Sequence, residues 1–80
     1  MNHEHEANDE TILLQKKAEG FRQLQKLVHI PFKNGSWKRG LISSVSSDFF
    51  LLQERLEGEM VVFFLEITDI RSFVARKVDS

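Results

Sequence analysis

Apolar residues recur at three- and four-residue spacing in the first third of the chain. Leu14, Ala18, Phe21, Leu24 and Val28 make one stripe, and Lys16, Glu19, Gln23 and Lys26 fall on other faces. The stripe predicts a helix over about residues 9–26. Asn8 or Asp9 can cap it, and Asp9 and Glu10 stand where the helix dipole favours negative charge. Gly20 weakens the middle by about 1 kcal/mol relative to alanine, so a kink there, or a start near Phe21, is the competing expectation. Residues 1–8 are polar and acidic with no periodicity and read as a disordered tail.

From Leu27 the period changes to two, with Val28, Ile30 and Phe32 on one side of a strand and His29, Pro31 and Lys33 on the other. Pro31 donates no ladder hydrogen bond, which predicts a bulge or a free edge. Asn34 and Gly35 both tolerate positive φ and predict a type I′ hairpin turn. A second strand is expected over about residues 36–46, with Trp37, Leu41 and Val45 on one face and a sharp bend at Gly40. Ser46-Ser47-Asp48 makes the next turn, Phe49 to Leu56 a third strand, and Glu57-Gly58 turns it back. Met60 to Leu65, an unbroken apolar run, is the fourth strand. A small single-layer sheet cannot bury both faces of such a strand, so either a barrel closes over it or another subunit covers it. Glu66 to Asp69 is a connector, Ile70 to about Val74 a fifth strand, and residues 76–80 a loose tail. One helix and five short consecutive strands, sharply bent in the second, predict a mainly β fold. It is a strongly bent five-stranded barrel over about residues 9–75.

Size and composition agree with that. A chain of 80 residues makes one domain, burying about 60–65 % of the surface its unfolded form exposes. It is too short for a nucleotide-binding α/β sheet or a (β/α)₈ barrel. A hydrophobic share of 41 %, with seven Phe and one Trp, is enough for a packed core. Cysteine is absent, so disulfides, thiolate metal sites and Cys nucleophiles are excluded, and a reducing, cytoplasmic compartment is expected. No apolar run approaches the roughly 18 residues of a membrane span, and no signal pattern opens the chain. The net charge of −1 hides strong segregation. Residues 16–39 hold seven bases against Glu19 alone, whereas residues 48–69 hold six acids against Arg55. Opposed charged faces suit nucleic acid on one side, or head-to-tail association.

Catalysis finds no support. His29 is the one histidine inside the folded part, in strand phase opposite to Val28 and Ile30, and is expected to be exposed or at an interface. Ser43, Ser44, Ser46 and Ser47 match no nucleophile elbow, and Glu54, Glu57 and Glu59 flank a turn as a solvated acidic loop. His3 and His5 on the tail lack a third ligand, so no metal or cofactor is expected. The chain reads as a non-enzyme. The best lead is the basic, aromatic-containing segment: Lys33, Trp37, Lys38 and Arg39 around the hairpin, with Arg22 and Lys26 on the preceding helix. Cations that neutralise phosphates beside a flat ring that stacks a base are what single-stranded RNA binding requires. The bland alternative is that Trp37 covers the end of the core and the lysines keep a hairpin tip soluble. Phe49, Phe50, Phe63, Phe64 and Phe73, in strands this apolar, read as core and interface before they read as a binding platform. Arg71, opposite in phase to Ile70, projects from the last strand to contact phosphate or to pair with Glu66 or Asp69, and the ion pair is the favoured expectation.

From Val28 to Phe73, through VHIPFKNGSWKRGLISSVSSDFFLL and MVVFFLEITDIRSF, the chain resembles the Sm-like family of small β-barrels. The resemblance rests on the N-terminal helix, the strand ending in Asn34-Gly35, the Gly40-Leu41-Ile42 bend, the Asp48-Phe49 turn, and Ile67 and Ile70 in the last strands. It implies a helix on a five-stranded bent sheet, and homo-oligomeric rings built by pairing the fourth strand with the fifth of a neighbour. Met60, Val61, Val62, Phe63, Phe64 and Leu65 would then meet Ile70, Ser72 and Val74 of the next copy. It also implies RNA at the loop of Ser47, Asp48 and Phe49 and at the connector of Leu65 and Glu66. The chain departs from the family at its nucleotide pocket. Leu51 stands where members place Asn, and Phe63-Phe64 or Phe64-Leu65 where they carry Arg-Gly or Lys-His. The expected function is non-catalytic binding of single-stranded RNA or scaffolding of an RNA complex. The alternative is a protein-interaction module or accessory subunit that docks its apolar fourth strand on a protein partner.

Overall fold

The computed structural model describes residues 9–73. Helix α1 (Asp9–Leu24) is followed by strands β1 (Leu27–Pro31), β2 (Trp37–Val45), β3 (Phe49–Glu54), β4 (Gly58–Phe63) and β5 (Arg71–Ser72). A single 3₁₀ turn, Phe64–Glu66, lies between the last two strands. The tails expected at 1–8 and 76–80, and Val74, lie outside the described residues. Every strand pairs antiparallel, in the spatial order β4-β3-β2-β1-β5. One N-terminal helix on a bent five-stranded sheet is the architecture the periodicity predicts.

Helix α1 runs unbroken through Gly20, and stops at Leu24 because the chain turns left-handed at Gln25, with φ of 55°. The Gln25 amide donates to the Arg22 carbonyl at 3.1 Å and the Lys26 amide to the Phe21 carbonyl at 3.2 Å. This is a Schellman end, a position that glycine ordinarily fills. The helix thus carries a glycine in its interior and a side chain where glycine belongs. Nothing lies within 4 Å of where a Cβ on Gly20 would stand, so Gly20→Ala is expected to stabilise the protein by about 1 kcal/mol. Gln25→Gly is expected to add a smaller gain by relieving the left-handed backbone. Both are read as a rise in the urea midpoint.

The core forms where α1 crosses one face of the sheet. Leu14 and Ala18 from the helix meet Val28 and Ile30 of β1, Ile42 of β2, Phe50 and Leu52 of β3, and Val62 of β4. Phe64, Ile67 and Ile70 complete it, while Phe21 and Phe32 pack against its rim. Gln15 Nε2 donates to the Ser46 carbonyl at 3.2 Å, and Lys17 Nζ reaches Asp69 Oδ1 at 2.7 Å, tying the helix to both ends of the sheet. The sheet curls until Phe32 bridges Ile67 and the Thr68 amide donates to the Pro31 carbonyl at 2.9 Å.

Five local expectations are corrected. The hairpin after β1 is not type I′: among the described non-glycine residues only Gln25 has positive φ, so Asn34 does not. The Gly35 amide donates to the Phe32 carbonyl at 3.0 Å, the Phe32 amide to the Ser36 carbonyl at 2.8 Å, and Gly35 alone is left-handed at φ 94°. This is the three-residue loop with a glycine bulge. Asn34 Oδ1 accepts from both the amide and the hydroxyl of Ser36, at 2.9 and 2.7 Å, which holds Asn34 in its turn role. Trp37 and Leu41 do not share the core face with Val45. They point outward, and a bulge between Ile42 and Ser44 turns Val45 inward while Ile42 fills the core. Strand β3 ends at Glu54, not Leu56, because Glu54 Oε1 accepts the amides of Leu56 and Glu57 and starts the turn early. Strand β4 covers Gly58–Phe63, so Phe64 and Leu65 leave the expected strand for the 3₁₀ turn, which swings Phe64 into the core. Ile70 precedes β5 and is fully buried, so it belongs to the core rather than to the strand.

Candidate nucleic-acid interface

Strand alternation divides the basic hairpin residues between two faces. The register Pro31↔Trp37 and His29↔Arg39 puts Trp37 and Arg39 on the outward face with His29, whereas Lys38 pairs with Ile30 on the core-side face. There Lys38 Nζ lies 3.5 Å from Glu57 Oε1. Trp37 is 51 % exposed and so does not seal the core. Its ring lies 5.3 Å from the His29 ring, and the Arg39 guanidinium carbon is 4.5 Å from the Trp37 ring centre. The same guanidinium carbon lies 4.1 Å from the ring centre of Phe73. The Phe73 amide donates to the Leu27 carbonyl at 2.9 Å, which extends the β5 side of the sheet and places the ring there. Arg71 on β5 lies opposite His29 in register and pairs with Asp69 at 3.1 Å, as expected. Burial first, then the charges of Arg39 and Arg71, hold the His29 imidazole below its ordinary value. The outward face of β1, β2 and β5 is therefore a cationic, aromatic surface around a guanidinium close to two rings.

The remaining candidates fall elsewhere. Arg22 is engaged by Glu19, with Nε donating at 2.9 Å and a second bond from the other arm of the guanidinium. Hydrogen bonds from Arg22 and from Gln23 hold the Glu19 carboxyl down to about 2 from an ordinary 4.5. A carboxyl with a depressed pKa contributes stability that is full above its ordinary value and lost as pH falls toward the folded one. Acidification from pH 4.5 to 2 is therefore expected to destabilise Glu19→Gln less than the unaltered protein, measured by thermal melts across that window. Lys26 is exposed just past the helix and Lys33 is exposed in the hairpin loop.

Lys33 and the Ser47-Asp48-Phe49 segment lie at opposite ends of β2 in sequence, and the bent sheet brings them to one place. The Phe64 amide donates to the Asp48 carbonyl at 3.0 Å and the Lys33 amide to the Glu66 carbonyl at 2.9 Å. The 3₁₀ turn thus joins the two loops, with Leu65 exposed at its middle and a shallow depression lined by Phe32, Lys33, Asn34, Leu65 and Glu66 beside it. Asp48 and Glu66 make this second surface acidic, and Phe49 is packed against Phe63 at 5.8 Å between ring centres, half-buried. Of the two surfaces, the outward one is the better match to phosphate.

The candidate association residues also divide. Val61, Phe63, Leu65 and Ser72 are exposed, and Met60 is half-buried. Val62, Phe64 and Ile70 are buried in the core of their own chain, so their side chains are not free for a neighbour. Among the described residues no group of three or more His, Cys, Asp or Glu side chains could hold a metal ion. No helix among them is long and apolar enough to cross a membrane.

The sequence offers Arg71 as a phosphate contact or ion-pair partner and Phe73 as platform or core, but it does not join them, or His29, to Trp37 and Arg39. The phase of His29 was readable from its alternation with Val28 and Ile30. Its partners depend on the long-range register of β1 with both β2 and β5.

The helix, the strand order, the bent sheet and the 3₁₀ turn ahead of the last strand together make the Sm-like fold. No family model matches the sequence, and no curated protein matches it. Among solved structures, the chain is similar to the 1.55 Å crystal structure of the pleiotropic translational regulator Hfq, with a TM-score of 0.66. That match covers 74 % of this chain and 97 % of that one at 20 % identity, a likeness of fold.

Proposed function

We propose that this protein is a non-catalytic RNA-binding or RNA-scaffolding Sm-like protein that acts as a homo-oligomer in the cytoplasm. The observation that carries the reading is the exposed Trp37 with the Arg39 guanidinium within 4.5 Å of its ring centre and 4.1 Å of that of Phe73, on a face that also presents His29 and Arg71. Trp37 offers a ring on which a base stacks, and Arg39 and Arg71 supply charge to phosphates. The structural likeness to a translational regulator supports the same reading. Because Lys38 faces away and pairs with Glu57, its reversal tests the geometry against mere net charge. Arg39→Glu is expected to weaken binding of single-stranded RNA about tenfold and flatten its salt dependence. Lys38→Glu is expected to change it little. Equal losses in the two variants, measured by fluorescence anisotropy, would contradict a site on the outward face.

Association is proposed through the two free edges. Strands β4 and β5 each have a single neighbour in the sheet, so each leaves one row of main-chain donors and acceptors unpaired. Val61 and Phe63, 49 % and 45 % exposed, lie on β4 beside Glu57 and Glu59, while β5 carries Arg71. Pairing β4 of one copy with β5 of the next satisfies both rows and covers that apolar pair. Met60, Val62 and Ser72 would contribute main chain there.

One observation favours a second reading. Leu65 is 68 % exposed between Asp48 and Glu66, an apolar and acidic surface that suits a protein partner better than RNA. A complex recovered intact after nuclease treatment, and lost in Leu65→Asp, would support an accessory subunit.

A further inference from the structure

The outward face brings together three basic side chains from three strands. His29 on β1 stands opposite Arg39 on β2 and opposite Arg71 on β5. Arg39 Nε donates to His29 Nδ1 at 3.5 Å, a long contact that requires Nδ1 to be unprotonated. Trp37 and Phe73 fix the guanidinium that makes it. Among the described residues no carboxylate pairs with His29 or Arg39, and Asp69, which holds Arg71, is shared with Lys17 at 2.7 Å. Protonating His29 would therefore break its bond to Arg39 and set a third positive charge between two guanidiniums. An anion at that point removes both penalties.

We propose that His29, Arg39 and Arg71 form a proton-linked phosphate site, in which a phosphodiester of single-stranded nucleic acid enters as His29 takes up a proton. For its natural ligand this rests on the RNA reading; for its phosphate chemistry it rests on the geometry of the three side chains. The direction follows from linkage. In the free protein, burial and the two guanidiniums disfavour the imidazolium, and a bound phosphate offsets the guanidiniums. The proton and the phosphate therefore help each other, and affinity rises as pH falls through the range where histidine titrates. Arg39 needs little reordering to accept the phosphate, because its two rings already hold it.

The test uses inorganic tripolyphosphate as the probe and the His29 ring signal in NMR as the readout, with His29→Gln assigning that signal apart from His3 and His5. Saturating tripolyphosphate is expected to raise the His29 titration midpoint by about one pH unit, and single-stranded RNA to bind about tenfold tighter at about pH 5.5 than at about pH 8. His29→Gln, which keeps an acceptor for Arg39, is expected to bind both with affinity that varies little with pH. A midpoint unmoved by tripolyphosphate overturns the proposal whatever RNA does. A raised midpoint without RNA binding at either pH upholds the phosphate site and removes the RNA reading. RNA binding that is equal at the two pH values upholds the RNA reading and overturns the proton linkage.

Discussion

Gly40→Val is expected to remove most of the protein's stability. A Cβ on Gly40 would lie 2.3 Å from the Gln53 carbonyl oxygen and 2.9 Å from its carbonyl carbon. Those are main-chain atoms of the paired strand, since Gly40 and Glu54 stand in register, and they cannot swing aside as a side chain would. Strands β2 and β3 would have to separate there, which breaks the ladder and loosens Ile42 and Leu52. Overpacking of this kind costs about 3 kcal/mol or more, against the roughly 5 kcal/mol at the low end of domain stability. Far-UV circular dichroism and urea unfolding read the result. A folded variant with an unchanged midpoint would show that the close approach is not needed.

Phe63→Glu is expected to have the largest effect on function without unfolding the chain. Phe63 is 45 % exposed on the edge strand, so its removal leaves the buried core intact. In the proposed assembly it lies at the end of β4 where one copy meets the next, and a carboxylate there removes apolar cover and puts a charge into the seam at a desolvation cost. Light scattering is expected to show a single chain in place of a multimer. RNA affinity is expected to fall about 100-fold as the sites on neighbouring copies stop acting on one strand. A multimer of unchanged mass would contradict edge-strand pairing.

Much of the fold was legible because it is written in local alternation. The stripe through Leu14 and Ala18, the in-and-out phase of Val28 and Ile30, and the glycine at 35 each act within a few residues. What escaped depends on distant partners. The bulge between Ile42 and Ser44 is a matter of how β2 counts against β3, and two adjacent serines carry no sign of it. In the apolar run from Met60 to Leu65, nothing marks Phe64 as the residue that leaves the strand, because it turns to fill space left by Phe50, 5.4 Å away between ring centres. The candidate site divides in the same way. Trp37 and Arg39 were visible as a basic, aromatic pair, and their alternation with Lys38 already separates the faces. That Phe73 reaches Arg39 follows from the β1–β5 pairing, which no short-range pattern encodes.

The central claim is that the outward face around Trp37 binds single-stranded RNA. Trp37 is the one tryptophan in the chain, so its fluorescence reports from that face alone. The most direct measurement is titration with U-rich and A-rich oligonucleotides at about 50 and about 200 mM salt. The account predicts a saturable change in Trp37 emission, with affinity that drops steeply at the higher salt. No change in emission and no binding to either oligonucleotide at the lower salt would contradict it.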